Sequence, residues 1–342
     1  MKIKHKIDSG NCYVIAEAGL NHNGSIEIAK QLIDIASSSG ADAVKFQKRN
    51  VDGLAIKSVL DAKDNRFPEF GSTYREIREH LEFNLEQFKE LKSYSESKNI
   101  DFISTAFDIE SVDFLEKLEL EVYKIASHGM TNINLLKYLS KKNKPIIIST
   151  GMAEMSEIET AVEILSESNS DIYLMHCVSS YPTPMDQCNL KMIDVLKNKF
   201  NLPVGYSGHE IGYLPTTVAV SRGAQLVERH YTIDNNMVGF DHKLSLEPDE
   251  FSNMIKDIRN IKLNIGDGKK AVSDIEMVTR NKYHVSLVSS RLIKANEIIN
   301  KEMITYKNPG NGIPPKDLSK ILGKTIKTTL AKDELFEWNM FE

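Results

Sequence analysis

Two histidines, two lysines and a row of hydroxyls recur at one kind of position in this 342-residue chain, the end of a short apolar run. His209 follows the run 204–207 in YSGHE, and His230 closes the run 226–230 in VERHY. Two imidazoles placed like this can share one divalent metal and leave positions open for water and substrate. Mn²⁺, Zn²⁺, Co²⁺ and Fe²⁺ all suit such a pair, and Glu17 or Asp241 could add a carboxylate. The alternative is that each histidine is a hydrogen-bonded polar residue and nothing more. Lys45 in VKFQ and Lys124 in YKIA sit inside apolar runs, where an unpaired ammonium costs several kcal/mol. A salt bridge, for instance to Glu17, would offset that cost, and so would a bound anion. With the hydroxyls of Thr105, Ser127, Ser149 and Ser207 at neighbouring run ends, the pattern suits a small ligand carrying carboxylate or phosphate. Lys124 also admits Schiff-base chemistry of the class I aldolase kind. AEAGLNHNGS holds a glycine-containing turn without the GK[ST] of a P-loop. Its Asn21 and Asn23 either cap a helix or line a pocket, and His22 is either pocket-facing or solvated.

For these side chains to meet, the elements must bring run ends together. The apolar runs are 13–17, 43–47, 102–105, 122–127, 146–150, 172–176, 204–207 and 226–230. Helical periodicity occupies 25–39, 84–98, 109–118, 133–139, 155–166, 190–199, 213–222 and 248–264. Strand–helix units in such a series predict an α/β fold, a (β/α)₈ barrel, whose strands meet at one mouth by their C-terminal ends. Glu17, Lys45, Gln47, Thr105, Lys124, Ser127, Ser149, His176, Ser207, His209 and His230 are therefore expected to converge on one pocket. The long connections 48–83 and 231–247 would lie over that mouth as lids or specificity loops. Residues 1–12 read as a short hairpin closing the barrel floor. The barrel is assigned 1–265, a polar linker 266–282, and a small β-rich domain 283–342, which at that size is expected to pack on its own barrel or on a partner subunit.

Composition narrows the function. Apolar residues make up 41% and charged residues 27%, ordinary globular values, and the formal net charge of −5 argues against nucleic acid as the main partner. The three cysteines follow no metal-ligand spacing and fit a reducing compartment. The N-terminus lacks the apolar core of a signal peptide, and no stretch approaches the roughly 20 apolar residues of a membrane span. A cytoplasmic protein without membrane partners is expected.

AEAGLNHNGS, DAVKFQ, FISTAF, YKIAS, IIISTGM, LMHCVSSYPTP, GYSGHE and VERHYT, in that order, resemble the sialic acid synthase family, the nonulosonate synthases of N-acetylneuraminate, legionaminate and pseudaminate type. NPGNGIPP and LGKTIKTTLAKDELF are similar to the C-terminal antifreeze-like (SAF, β-clip) domain of that family. The resemblance implies a TIM barrel followed by a SAF domain. It also implies condensation of phosphoenolpyruvate with an open-chain N-acyl hexosamine, giving a nine-carbon 2-keto-3-deoxy acid and phosphate with C–O cleavage. It implies a divalent metal, commonly Mn²⁺ with Mg²⁺ or Co²⁺ as alternatives, on His209 and His230. Lys45, Thr105 and Lys124 match contacts to the phosphoenolpyruvate carboxylate. Ser127, Ser149 and Ser207 match contacts to its phosphate, and Ser179 stands where many members carry asparagine. Glu17, Gln47, Tyr181 and Asp241 match residues at the sugar and the reacting centre, with Glu17, Lys45 and Lys124 as the catalytic set. His176 gains no role and is expected to be a buried support.

Two departures fall on the acceptor side. His128-Gly129 follows KIAS where the family often has Gly-Glu, and Asn308 precedes Pro309-Gly310 where the family often has an arginine that reaches a neighbouring subunit's sugar. Lys307 is either a replacement cation or a solvated loop residue. The resemblance also implies a domain-swapped homodimer. The competing readings are a Schiff-base aldolase on Lys124 and a non-catalytic sugar- or anion-binding relative.

Overall fold

The computed structural model describes residues 2–168 and 170–342. Among these, eight parallel strands close into a barrel in sequence order: β1 Tyr13–Gly19, β2 Ala43–Lys48, β3 Asp101–Ala106, β4 Tyr123–Ile125, β5 Ile146–Ser149, β6 Ile172–Cys177, β7 Val204–Gly208 and β8 Leu226–His230. Side chains alternate across each strand. One set, including Val14, Val44, Ile125, Ile148 and Val227, packs outward against the helices in the main core. The inward set changes character along the barrel axis. Near the floor it is apolar (Tyr13, Ile15, Ala43, Ile103, Ile147, Tyr173, Leu226). Two residues further along the same face stand Glu17, Lys45, Thr105, Lys124, Ser149 and Glu228, all buried. In register, Glu17 pairs with Lys45 and with His230, Thr105 with Lys124, and Ser207 with Glu228.

The helices begin where the chain supplies caps. Ser25 accepts from the Ile28 N–H to start Ile26–Ser38, and Asn84 with Gln87 forms a capping box at Leu85–Ser97. The connection 48–83 is not bare loop, since it carries the short helices Val51–Leu54, Lys57–Leu60 and Tyr74–His80. β4 stops earlier than the run 122–127, because Ser127–Gly129 turns into a 3₁₀ segment.

The N-terminal segment corrects the hairpin expectation. Lys2–Asp8 is a helix whose Ile3 and Ile7, four residues apart, bury against the inward residues of the floor. Lys6 pairs with Asp42 at 2.6 Å, and Lys2 pairs with Asp101. The polar alternation suggested a strand, but the i, i+4 isoleucines define a helical face.

The chain forms two compact units, the first ending at Gly266 and the second spanning Asp267–Glu342. In the second, a helix covers Asp274–Tyr283, capped by Ser273 and Glu276, inside the stretch read as linker. β9 Ser286–Ser289 and β10 Ile304–Lys307 pair antiparallel. Leu287, Ile293, Ile313, Ile326, Phe336 and Phe341 belong to a separate core in this unit. Among the described residues no helix is long and apolar enough to cross a membrane.

Candidate active site

A cavity of about 280 Å³ opens at the C-terminal ends of the strands. Of the residues singled out from sequence, Glu17, Lys45, Gln47, Thr105, Lys124, Ser127, Ser149, Ser179, Tyr181, Ser207, His209, His230 and Asp241 all line it. Asn308 belongs to the C-terminal unit, where it is exposed. His176 is buried outside the lining and bonds through Nε2 to the Cys188 carbonyl at 2.8 Å.

The lysines are held by a buried network. Lys45 Nζ lies 2.7 Å from Glu17 Oε2 and donates to Thr105 Oγ1 at 2.8 Å. Lys124 Nζ donates to Ser149 Oγ at 2.7 Å and to the Ile125 carbonyl at 3.2 Å. Glu228 joins the two, its Oε2 3.7 Å from each ammonium, while Ser207 donates to its Oε1 at 3.2 Å. Burial alone would raise the Glu228 carboxyl, but Lys124 and Lys45 outweigh it and hold the group at about 2. Burial pulls the Lys124 ammonium below the ordinary lysine range against the opposing pull of Glu228. Burial acts in the same direction on Lys45, but Glu17 and Glu228 overcome it and leave Lys45 raised. The pocket thus sets two lysine amines, held by buried carboxylates and hydroxyls, around a space that can take an anion.

Beside them lies a hydroxyl cradle. The Gly151 N–H donates to Ser127 Oγ at 3.0 Å. A Cβ at Gly151 would lie 2.7 Å from Ser127 Oγ and closer still to Ser179 Oγ, so only glycine leaves the backbone and the serines in this arrangement.

The imidazoles form the third part. His209 bonds through Nδ1 to the Val178 carbonyl at 3.0 Å, which directs the Nε2 lone pair away from the backbone. Burial, then the neighbouring His230, lowers its protonation to about 3, so the ring is neutral as a ligand must be. His230 lies across from it with ring centroids 5.6 Å apart, and its buried Nδ1 has no hydrogen-bond partner among the described residues, 3.8 Å from Asp241 Oδ2. Among the described residues no group of three or more His, Cys, Asp or Glu is arranged to hold a metal ion. The imidazole pair, with one orphaned nitrogen on His230, fits a divalent ion that keeps its remaining positions for water and ligand.

Toward solvent, the Tyr181 ring sits 4.1 Å from the His209 ring, and Gln47 Nε2 donates to Glu17 Oε1 at 2.7 Å. Several lining residues escaped the sequence reading, Glu228, Arg49, Arg78, Cys177 and Phe240 among them. Glu228 stands two residues before His230 on the same strand face, and Arg49 two past Gln47, so period-two alternation could have found both. Arg78 and Phe240 lie in the two long connections, where no local periodicity marks them.

Residues 32–270 match the NeuB family and residues 284–342 the SAF domain. The N,N'-diacetyllegionaminic acid synthase of Campylobacter jejuni is 42% identical over 329 residues, covering 94% of this chain and 98% of that protein. The N,N'-diacetyllegionaminic acid synthase of Legionella pneumophila is 38% identical over 347 residues, covering 99% and 97%. The crystal structure of the N-acetylneuraminic acid (sialic acid) synthetase of Leptospira borgpetersenii in complex with citrate is similar with a TM-score of 0.68 and 36% identity, covering 79% of this chain and 90% of that one.

Proposed function

The chain belongs to the NeuB family, and on that premise we propose that it is a nonulosonic acid synthase condensing phosphoenolpyruvate with an open-chain N-acyl hexosamine. The observation that carries this reading is the joint lining of one barrel mouth by the lysine pair, the serine cradle and the two histidines. Lys45, Lys124 and Thr105 bind the carboxylate, and charge-assisted bonds in a buried site orient it. Ser127, Ser149, Ser179 and Ser207 receive the phosphate around the Gly151 backbone. His209 and His230 would hold a divalent metal, Mn²⁺ by this proposal with Mg²⁺ or Co²⁺ as alternatives. When bound, the ion supplies Lewis-acid polarisation of the sugar aldehyde.

In the reaction, C3 of phosphoenolpyruvate bonds to the aldehyde carbon, whose oxygen takes a proton and becomes a hydroxyl. C2 is left cationic, water adds there, and the C2–O bond breaks to release inorganic phosphate and leave the keto acid. Glu17, fixed between Lys45 and Gln47, places its carboxylate to stabilise the cationic carbon and to take the proton of the incoming water. Gln47, Tyr181 and Asp241 hold sugar hydroxyls. The acceptor is proposed as a 2,4-diacetamido-trideoxyhexose, following full-length similarity to two proteins named N,N'-diacetyllegionaminic acid synthases.

The proposal includes a cytoplasmic location, supported by three free cysteines, and a domain-swapped homodimer with Asn308 contributed as an acceptor contact. Ile275 and Val278, 88% and 75% exposed on the helix Asp274–Tyr283, support a second copy as the cover of that apolar face. Sedimentation showing only active monomer would remove the dimer.

A phosphate-release assay with Mn²⁺, phosphoenolpyruvate and a panel of hexosamines tests the reaction, and mass spectrometry of the product names the acceptor. Phosphate release that depends on an aldose is expected; none across the panel would overturn the reading. A Schiff-base aldolase draws support from the lowered Lys124 ammonium. Borohydride with pyruvate separates the two, because the synthase should give no trapped adduct.

A further inference from the structure

The mechanism leaves one cavity-facing cation without work. Arg78, on the short helix Tyr74–His80, lines the mouth from the connection that follows β2. Its guanidinium lies 4.4 Å from the Phe240 ring centroid and 5.0 Å from that of Tyr74, and its buried Nε has no hydrogen-bond partner among the described residues. Nearby arginines are spent differently. Arg66 pairs with Asp64 at 2.6 Å, and Arg75 with Asp61 at 2.9 Å. Arg49, in the same cavity, donates to Gln47 Oε1 and lies 3.4 Å from Glu82, which also takes Lys48. A guanidinium lying against two aromatic rings, with no salt bridge among the described residues, keeps N–H groups for a ligand oxygen.

The surroundings select which oxygen. A phosphate would call for several unneutralised donors, whereas Arg49 already faces Glu82 and the carboxylate of Asp241 shares the cavity wall. Leu20 and Phe240 add apolar surface. One free guanidinium beside an apolar wall suits a neutral acyl group, with its carbonyl on the cation and its methyl on the wall.

We propose that Arg78 reads a second acyl substituent of the acceptor sugar, the one that distinguishes a diacetamido hexose from a mono-acetamido hexose. This rests on the synthase reading above. The test is steady-state phosphate release by wild type, Arg78→Ala and Arg78→Gln with Mn²⁺ and phosphoenolpyruvate. The acceptors are a 2,4-diacetamido-trideoxyhexose, N-acetylmannosamine and a hexosamine 6-phosphate. Arg78→Ala should raise KM for the diacetamido sugar about tenfold to a hundredfold, the range of a hydrogen bond to a charged group. KM for phosphoenolpyruvate and for N-acetylmannosamine should stay within about twofold, and Arg78→Gln, which keeps an amide donor, should recover part of the loss.

An equal rise for both uncharged sugars, or no rise, overturns the proposal, and so does a loss confined to the sugar phosphate. If wild type releases phosphate with none of the acceptors, the synthase reading itself fails. Calorimetric titration of the diacetamido sugar into wild type and Arg78→Ala then decides the residue's role: weaker binding in the variant supports it and equal binding overturns it.

Discussion

At the floor of the barrel, Tyr13 donates to Asp101 at 2.8 Å and Lys6 meets Asp42 at 2.6 Å, each pair set at the edge of an apolar layer sealed by Ile3 and Ile7. At the mouth, two to four residues further along the same inward faces, Lys45, Lys124, Glu17 and Glu228 are buried together with two histidines. Cavities of similar size lie at the two ends, about 250 Å³ at the floor and about 280 Å³ at the mouth. Volume therefore does not tell them apart, and the state of the charges does. Floor charges are partly solvated and already paired, Asp42 with Lys6 and Arg259 and Asp101 with Lys2. Mouth charges are desolvated, shared among three partners, and hold donors toward empty space. A barrel spends its floor on stability and its mouth on chemistry, and the same scaffold does both because alternation continues while residue type changes.

The comparison breaks most sharply at the histidines. His209→Ala or His230→Ala should cut phosphate release by about 10³-fold or more, with a melting midpoint within about 2 °C of wild type; activity that survives the change, or survives EDTA, removes the metal. Glu17→Gln, nearly isosteric, should lower kcat by about 10²-fold to 10⁴-fold with little change in KM for phosphoenolpyruvate, measured in the same assay. Glu228→Gln takes the shared counter-charge from two buried ammoniums and should cost about 3–5 kcal/mol in urea unfolding, a loss that added phosphoenolpyruvate partly restores. At the other end, Ile3→Ala should cost about 2–4 kcal/mol through the cavity it leaves and leave kcat within twofold. A large kcat effect there would erase the distinction between the ends.

The smallest effect sharpens the contrast through pH. His22 stacks on Phe83 with centroids 4.3 Å apart, and burial, then Arg49, lowers its protonation to about 3. Its folded value lies below the unfolded one, so the unfolded chain binds the proton first. Stability should fall as pH drops from about 6.5 toward 3, and His22→Asn should flatten that slope in urea titrations across the range.

Much of this was legible in the chain. Eight apolar runs in series, each ending in a polar side chain, located the strands to within two residues at either end, and strand-end position alone collected most of the pocket. Ser179 and Tyr181 came from the family resemblance, and Asp241 from its place in a long connection as a carboxylate beside the two histidines. Glu228 was missed although its signal was present, since VERH puts it on the same face as His230. Arg78 had no such signal, because nothing in TYREIREH says that one of two arginines turns toward a distant mouth while the other pairs with Asp61. The N-terminal hairpin was misread because seven residues hold too few apolar positions to separate period two from period four without the floor they cover.

What the sequence by itself determined is the barrel, its polar mouth and the residue types available there, since alternation and strand-end placement are local properties of the chain. Only the tertiary structure decided how those types are partnered. Glu228 lies 3.7 Å from lysines that are 104 and 183 positions away along the chain, and Arg78 meets Phe240 across two separate connections. Such pairings depend on barrel closure and on how two loops pack over it. Local periodicity cannot encode them, and they set which ammonium is raised and which lowered, which nitrogen is left bare and which guanidinium waits for a ligand.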